Sequence, residues 1–587
     1  MSAAAAPSQP SYDVAIVGSG IVGSILAFKL AQAGKRVLII EAGVDARNGT
    51  RAFLSKYRLA AIKDPESPYP DDNVNARRPM THVDTVKLRQ TDTYWYQTGP
   101  QPFSSCYERM AGGTTWHWLG LYPRMLPADF TLRSSYGVGL DWPIGYADLE
   151  PFYRESEQLL AVAGDVAIQD YGGLWFAPGY QYPMAAVPPS YSDQRMQARL
   201  AGLQIFGQPV KLTSTPAART TQFFEGRRAC QGNTSCIPIC PIQAKYDATI
   251  HLEKATQLGA ALWTQTVVDR VLIDDAGRVS GLSYLKYARP DVPGASDRGI
   301  VTAKVYILAA HAIETPKILL NSRTPALPGG VANRSDQVGR NLMDHPFPIA
   351  WGLMPEPLYQ MRGPRMTSGI ETLRDGPFRK ERAAFRVDIG NEGWTWANDD
   401  PDTSVNDLLK QGLFGAQFRQ RLHDIGTRSL RIGYLIEQLP VATNRVTLSP
   451  YADRLGIPQP QIAYDLDDYC KQGFVAAAEA TKRLFTRMGV EDRSGLFYAK
   501  GGDPGTFRID DKDPWYQFFG AGHIVGTYRM GTDPQTSVVD PYCRSHDHEN
   551  LFLCGTGTMV TVGTTNPTNT GVAIALRAFD SILKSAS

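Results

Sequence analysis

Three groupings of side chains in this sequence have the types and spacing to do chemistry. The first is Cys230, Cys236 and Cys240, spaced C-x5-C-x3-C on a Gly-, Asn- and Pro-bearing stretch that closes on Pro241. Thiolates this close on one loop can converge on a soft metal centre. Zinc would want a fourth nitrogen or sulfur ligand, and the closest candidate, His251, falls on the far side of an expected helix. Three thiolates suit an iron–sulfur cluster of the three-iron type with one corner vacant; the plain alternative is reduced or disulfide-paired cysteines on a turn. The second grouping is His523, in Gly522-His523-Ile524-Val525-Gly526, with Asn566, in Gly563-Thr564-Thr565-Asn566-Pro567. Oxidising an alcohol by hydride transfer needs a base for the hydroxyl proton and a second group to fix the oxygen. An imidazole and an amide suit those two tasks. Taken by spacing alone, a single loop histidine is more often a solvated or capping residue. The third is Gly18-Ser19-Gly20-Ile21-Val22-Gly23, a G-x-G-x-x-G run, with Glu41 further on.

The elements around the third grouping give it meaning. Tyr12 to Val17 is an apolar run of strand length, and Val22, Ile25, Leu26 and Leu30 recur at helical spacing before Gly34. A second apolar run, Val37 to Ile40, ends on Glu41. Strand, glycine turn, helix, strand and terminal acid make a dinucleotide-binding βαβ unit. Gly18 and Gly20 let backbone approach a pyrophosphate, Gly23 lets the helix pack close, and the helix N-terminus attracts the phosphate. Glu41 stands where a ribose hydroxyl would be gripped.

Downstream, Ala111-Gly112-Gly113-Thr114-Thr115-Trp116-His117-Trp118 forms a loop able to lie flat against a planar ligand, or else a glycine turn before core tryptophans. Helix-like segments span 148–163, 244–259, 469–488 and 572–583. Strand-like runs fall near 262–272, 279–287, 305–310, 431–438 and 550–554, the last ending at Gly555. Glu314-Thr315-Pro316 reads as the opening of an apolar helix, and residues 45–101 as long covering loops.

At 587 residues the chain exceeds one ordinary core, so two closely packed domains are expected. With 43% hydrophobic and 20% charged residues it is globular, and a net charge of +2 indicates no polyanionic partner, nucleic acid included. No run has the apolar length of a membrane span. Met1 to Gln9 has neither a basic start nor an apolar centre, so no export signal is expected there. Seven cysteines, three of them clustered, argue against a disulfide scaffold.

Together these stretches resemble the glucose–methanol–choline (GMC) family of flavin oxidoreductases, and within it the catalytic subunits of bacterial FAD-dependent sugar dehydrogenases. The resemblance is carried by the glycine turn, Gly112 to Trp118, the cysteine loop, Glu314 to Leu320, Val338-Gly339-Arg340-Asn341-Leu342-Met343-Asp344-His345-Pro346 and Ser537 to Asp540. It runs nearly end to end. It implies a mixed α/β fold: a GMC-type, Rossmann-like FAD-binding domain with an interleaved substrate domain on an antiparallel sheet. Residues 1–60, 220–345 and 532–587 would form the FAD-binding domain, with the iron–sulfur loop at 230–241. Residues 61–219 and 346–531 would form the substrate domain and covering loops.

The resemblance further implies FAD held by Gly18, Gly20, Gly23, Glu41, Gly112, Gly113, Thr114, Thr115, His117, Asn341, Gly555 and Thr568; His117 falls in the region where some relatives link a histidine covalently to the flavin. It implies His523 and Asn566 as the catalytic pair and a 3Fe-4S cluster on Cys230, Cys236 and Cys240. The partners implied are a small subunit bearing a twin-arginine (Tat) export signal and a membrane-anchored multihaem cytochrome c. The chain would then act in the periplasm, membrane-associated only through a partner. Two departures stand out. Gln231 follows the first cysteine where relatives carry another cysteine, and Ala521-Gly522 precede His523 where relatives carry amides. The substrate of the best-known relatives is therefore not carried over. The expected reaction is oxidation of a hydroxyl on a sugar, sugar acid, polyol or glycoside, with an O₂-using oxidase or a non-catalytic electron-transfer subunit as rivals.

Overall fold

The computed structural model describes residues 12–45, 95–103, 105, 107–234, 236–237, 240–288, 296–360, 362–391, 401–453, 455–494, 506–510 and 514–587. Most of the expected covering loops, 46–94, lie outside the described residues.

The Tyr12–Val17 run is a strand at the centre of a five-stranded parallel sheet, in the order Ala261–Trp263, Val37–Ile40, Tyr12–Val17, Ala303–Leu308, Leu551–Leu553. Val14 is level with Val37 on one side and Val305 on the other. Ile16, Leu38, Ile39, Val305 and Ile307 are wholly out of water, each contributing roughly 1.5–3 kcal/mol. Helix Ile21–Gln32 is buried on most sides and stops at Gly34, whose φ of 74° favours glycine. Thr249–Gln257 and Thr568–Ser585 pack on it, and Tyr146–Leu160 packs on the latter. The chain leaves the central strand toward one edge and returns on the other side, so the strand ends at Gly18 and Ala309 flank the switch point where ligands bind in such sheets.

A second sheet is antiparallel and six-stranded: Glu491–Asp492, Ile349–Leu353, Ser429–Ile436, Phe385–Gly390, Met366–Ile370, Leu212–Ser214. Helix Asp468–Met488 backs it, held at its start by the Asp467 side chain accepting from Cys470 N–H and ended by Gly489 in the left-handed region. Among the described residues no helix is long and apolar enough to cross a membrane.

One element begins earlier than its sequence suggests. The helix read as opening at Glu314 starts at His311 and runs to Asn321, with Pro316 inside it. A proline there leaves the carbonyl of Ala312 without its helical donor. Thr527 Oγ1 donates to that carbonyl at 2.6 Å, which lets the helix tolerate the ring.

Candidate active site

The carboxyl ends of the parallel strands and one face of the antiparallel sheet border a single cleft of about 500 Å³. Gly18, Gly20, Glu41, Gly113, Thr114, Thr115, His117, Gly555 and Thr568 line it, together with His523 and Asn566. A Cβ at Gly18 would stand 2.6 Å from the Ala309 carbonyl oxygen, and one at Gly23 would strike the carbonyl of Gly18. Gly20 has nothing within 4 Å of where its Cβ would be, so at that position backbone is open to an approaching ligand. The Thr568–Ser585 helix begins at the cleft and presents unpaired N–H groups to it. A glycine cradle, two helix N-termini and a buried acid in one elongated cleft fit FAD.

Glu41 is braced as well as placed. Its Oε2 accepts from Ser19 N–H at 3.0 Å and Ser19 Oγ at 2.6 Å, and Oε1 accepts from Gly43 N–H at 2.9 Å. Gly112 does not line the cleft but donates its N–H to Ser19 Oγ at 3.4 Å, tying the two glycine loops together. Lys245 fixes the second loop from behind, donating to the carbonyls of Thr115, Trp116 and Trp118 at 3.2, 2.7 and 2.7 Å. Burial holds its ammonium down at about 8. The structure does not bring Asn341 to the cleft; it sits at φ 60° with its amide toward Gln337.

At the other end of the cleft, His523 and Asn566 meet: Asn566 Nδ2 is 2.9 Å from His523 Nε2. His523 Nδ1 lies 3.0 Å from His345 Nδ1, the rings edge to face at 5.0 Å. His345 Nε2 is 3.1 Å from the carbonyl of Gly563. A carbonyl only accepts, so His345 carries its proton on Nε2 and offers a lone pair at Nδ1. That lone pair takes the Nδ1 proton of His523, leaving His523 Nε2 unprotonated toward Asn566 and the cleft. Burial, followed by the neighbouring His345 and Arg386, holds His523 well below the usual imidazole range, and burial takes His345 down to about 3. A neutral base atom is thus fixed in direction by two residues away from the glycine turn.

The backbone around the pair is pinned. Asp344 Oδ1 accepts from the N–H of His523 at 2.8 Å and of His345 at 2.7 Å. Its carboxyl also receives Ser105 Oγ, which in turn accepts from Gly522 N–H at 3.1 Å. Burial pushes Asp344 up to about 6 against those donors. On the Asn566 side, Thr564 Oγ1 donates to Asp129 at 3.1 Å and accepts from Arg374 Nε at 3.2 Å. The sequence pattern gives His345 no task of its own, and it does not single out His311, Tyr107 and Asp388, which line the cleft.

The cysteine loop reaches the cleft wall through Ile237. Cys230, Cys236 and Cys240 are all free thiols, so the disulfide-paired alternative is not adopted. Arg219 stands between two of them, its Nη1 3.4 Å from both Cys230 and Cys236 sulfurs, while its Nη2 reaches the Leu119 carbonyl at 3.2 Å. Although burial raises Cys236, Arg219 and the Arg365 N–H outweigh it, so the thiol titrates below its ordinary range. Among the described residues no three His, Cys, Asp or Glu side chains come together as a metal-holding group, so the convergence expected of the three sulfurs is not seen. The donor set still fits a thiolate-bound cation centre chemically, with buried cations beside it to balance anionic sulfur. His251 takes no part: it is buried, its Nδ1 2.8 Å from Tyr246 Oη.

Comparison with known proteins adds the following. GMC oxidoreductase profiles match residues 193–347 and 440–575, and an NAD(P)-binding Rossmann-like domain profile matches residues 16–55. The chain is 34% identical over 586 residues to the fructose dehydrogenase large subunit of Gluconobacter japonicus, covering 98% of each. It is 26% identical to 2-methyl-1,2-propanediol dehydrogenase of Mycolicibacterium austroafricanum, covering 97% of this chain and 95% of that protein. The crystal structure of pyridoxine 4-oxidase from Mesorbium loti superposes with a TM-score of 0.59 at 18% identity, covering 97% and 98% of the two chains, a likeness of fold alone.

Proposed function

This chain belongs to the GMC oxidoreductase family, and from that premise we propose that it is an FAD-dependent dehydrogenase oxidising a hydroxyl of a sugar, sugar acid, polyol or glycoside. The observation that carries the reading is His523: a neutral imidazole whose Nε2 lone pair is aimed at Asn566 in the same cleft as the Gly18–Gly20 turn. FAD, when bound, supplies the hydride acceptor. Gly18, Gly20, Gly113, Thr114, Thr115, His117, Gly555 and Thr568 would hold it, with Gly23, Glu41 and Gly112 shaping the loops beneath.

The chain's own residues do the rest. His523 Nε2 takes the hydroxyl proton as the carbinol carbon gives up hydride. The amide of Asn566 swings its N–H from His523 to the substrate oxygen, where negative charge develops. His345 and Asp344 keep the base in place and in the right tautomer. In this proposal segments 1–60, 220–345 and 532–587 serve the cofactor, and 61–219 and 346–531 serve the substrate.

We place an iron–sulfur centre of the 3Fe-4S type on Cys230, Cys236 and Cys240; such a centre accepts electrons singly. Support comes from three free thiols on one loop that reaches the cleft wall through Ile237, with the buried Lys245 close by. A haem c partner would receive the electrons, a small Tat-bearing subunit would accompany the chain, and the complex would work in the periplasm. The large-subunit name of one relative supports a multi-subunit assembly. Arg219 between Cys230 and Cys236 favours a second reading, an O₂-using oxidase with structural cysteines.

Anaerobic mixing of purified protein with a panel of glucose, fructose, gluconate, sorbitol and glycosides, alongside iron analysis, tests both. The expected result is rapid flavin bleaching, about three irons per chain, and reduction slowed by on the order of 10²–10⁴-fold in His523→Ala with FAD retained. Unchanged reduction in that variant rejects the base. Iron-free protein that makes peroxide stoichiometrically with product, when the same mixing is repeated in air, selects the oxidase.

A further inference from the structure

We propose that Asp388 sets substrate specificity by accepting a hydrogen bond from a second hydroxyl of a neutral polyol or sugar, beside the hydroxyl that is oxidised. The inference rests on the function proposed above and deepens it. Asp388 lies on the central strand Phe385–Gly390 of the antiparallel sheet and lines the cleft. The wall around it is apolar: Phe347, Met366 and Leu435. With Ala521 and Gly522 in front of His523, no amide from that segment can hold a sugar hydroxyl.

The sheet register explains which groups flank this carboxylate. Asp388 is directly opposite Gly369 on one neighbouring strand and Gly433 on the other, so neither cross-strand partner projects a side chain over it. A Cβ at Gly369 would strike the guanidinium of Arg386, and one at Gly433 would strike Phe347. Arg386, two residues along on the same face, is the one ion-pair partner of Asp388 among the described residues. Its other nitrogens are committed, Nε to Glu371 at 2.7 Å and Nη2 to Thr215 at 2.5 Å. Phe347, which covers Gly433 beside Asp388, lies two residues from His345, whose ring meets that of His523, so this ion pair and the catalytic base border the same end of the cleft.

The charge balance picks the ligand. A carboxylate has about four acceptor positions, and Arg386 occupies part of that capacity while cancelling its charge. A cationic substrate would gain little from a neutralised pair. An acidic substrate would face Asp388 with Arg386 already engaged behind it. A neutral hydroxyl donor fits, and the apolar wall would receive the C–H face of the same molecule.

The test compares substrates and variants on FAD-saturated enzyme. In the wild type, kcat/KM for a polyol should exceed that for its deoxy analogue, lacking the hydroxyl next to the reacting carbon, by on the order of ten- to a hundredfold. In Asp388→Ala, which leaves no acceptor at that position, that ratio should collapse toward one, with the loss mostly in KM, whereas His523→Ala loses kcat. A ratio that survives in Asp388→Ala, or an equal fall for both substrates, overturns the assignment. Should the variant fold poorly, binding to the oxidised wild-type enzyme, read as a flavin difference spectrum, gives the same comparison without turnover. Tight polyol and weak deoxy binding support the inference even if neither is oxidised, which would count against the proposed reaction alone; equal binding of the deoxy analogue, or tighter binding of an amino sugar or sugar acid than of the neutral polyol, rejects it.

Discussion

Removing His345 leaves the Nδ1 proton of His523 without its acceptor, and the consequence is chemical before it is structural. His523 can then place its proton on Nε2, the atom the proposed reaction needs bare, and turn toward whichever carbonyl or water is free. His345→Ala should therefore lower kcat by on the order of 10²-fold while FAD content and KM stay close to wild type. His345→Gln should recover part of the loss, since its amide nitrogen can still donate to Gly563 while its oxygen accepts from His523. Anaerobic stopped-flow reduction of the three proteins checks this. A residue that merely filled space would be replaced as well by leucine as by glutamine, with no split between kcat and KM. The same logic separates His345 from Asp344, which holds backbone N–H groups and leaves the imidazole protons untouched.

At the scale of elements, the His311–Asn321 helix survives an internal proline because a side chain from a distant segment completes its hydrogen bonding. Thr527→Val keeps the volume and removes that donor, leaving a buried carbonyl unpaired. The expected cost is about 1–3 kcal/mol in urea unfolding, with Thr527→Ser close to wild type; equal stability of the valine variant would mean that the Ala312 carbonyl has another donor. The example also marks what could be read from sequence. The strand at 12–17, its glycine turn and the helix ending at Gly34 carry their reasons locally, in apolar runs and in positions that only glycine fills. So does Asp468–Met488, with its side-chain cap and terminal Gly489. The start of the 311–321 helix does not, because proline ordinarily marks a first turn and the partner that permits it elsewhere lies two hundred residues on. Asp388 was silent for a similar reason. Its environment is set by glycines on two other strands, which only the register brings beside it. The cysteine spacing announced reactivity, but Arg219, which occupies the space between two sulfurs, comes from an earlier segment with no motif of its own.

For the molecule as a whole, the buried imidazoles make a prediction that no single one makes. Burial takes His251 and His345 down to about 3 and His311 to about 4, and holds His523 well below its ordinary range. Each is neutral when folded and free to charge when unfolded, so each contributes stability that is intact above the ordinary imidazole range, near 6.5, and is lost as pH falls through the window toward 3–4. Asp344 acts in the opposite sense: raised to about 6, it binds a proton more readily when folded, and its contribution fades as pH rises through that value. Near pH 5 the unfolded chain should therefore hold about three more protons than the folded one from these five groups, a slope of roughly 4 kcal/mol per pH unit. Stability of the FAD-saturated enzyme should drop steeply from pH 6.5 downward, in a range where ordinary surface carboxylates still change little. His251 offers the cleanest check, since it packs against Phe28 and Tyr246, away from His523 and Asn566. His251→Gln removes one of the titrating groups and should cut the slope between pH 4.5 and 6 by about a quarter to a third, measured by urea unfolding across that range. An unaltered slope would mean that the imidazole of His251 takes up its proton without the chain coming apart, and that the acid sensitivity of this fold originates elsewhere.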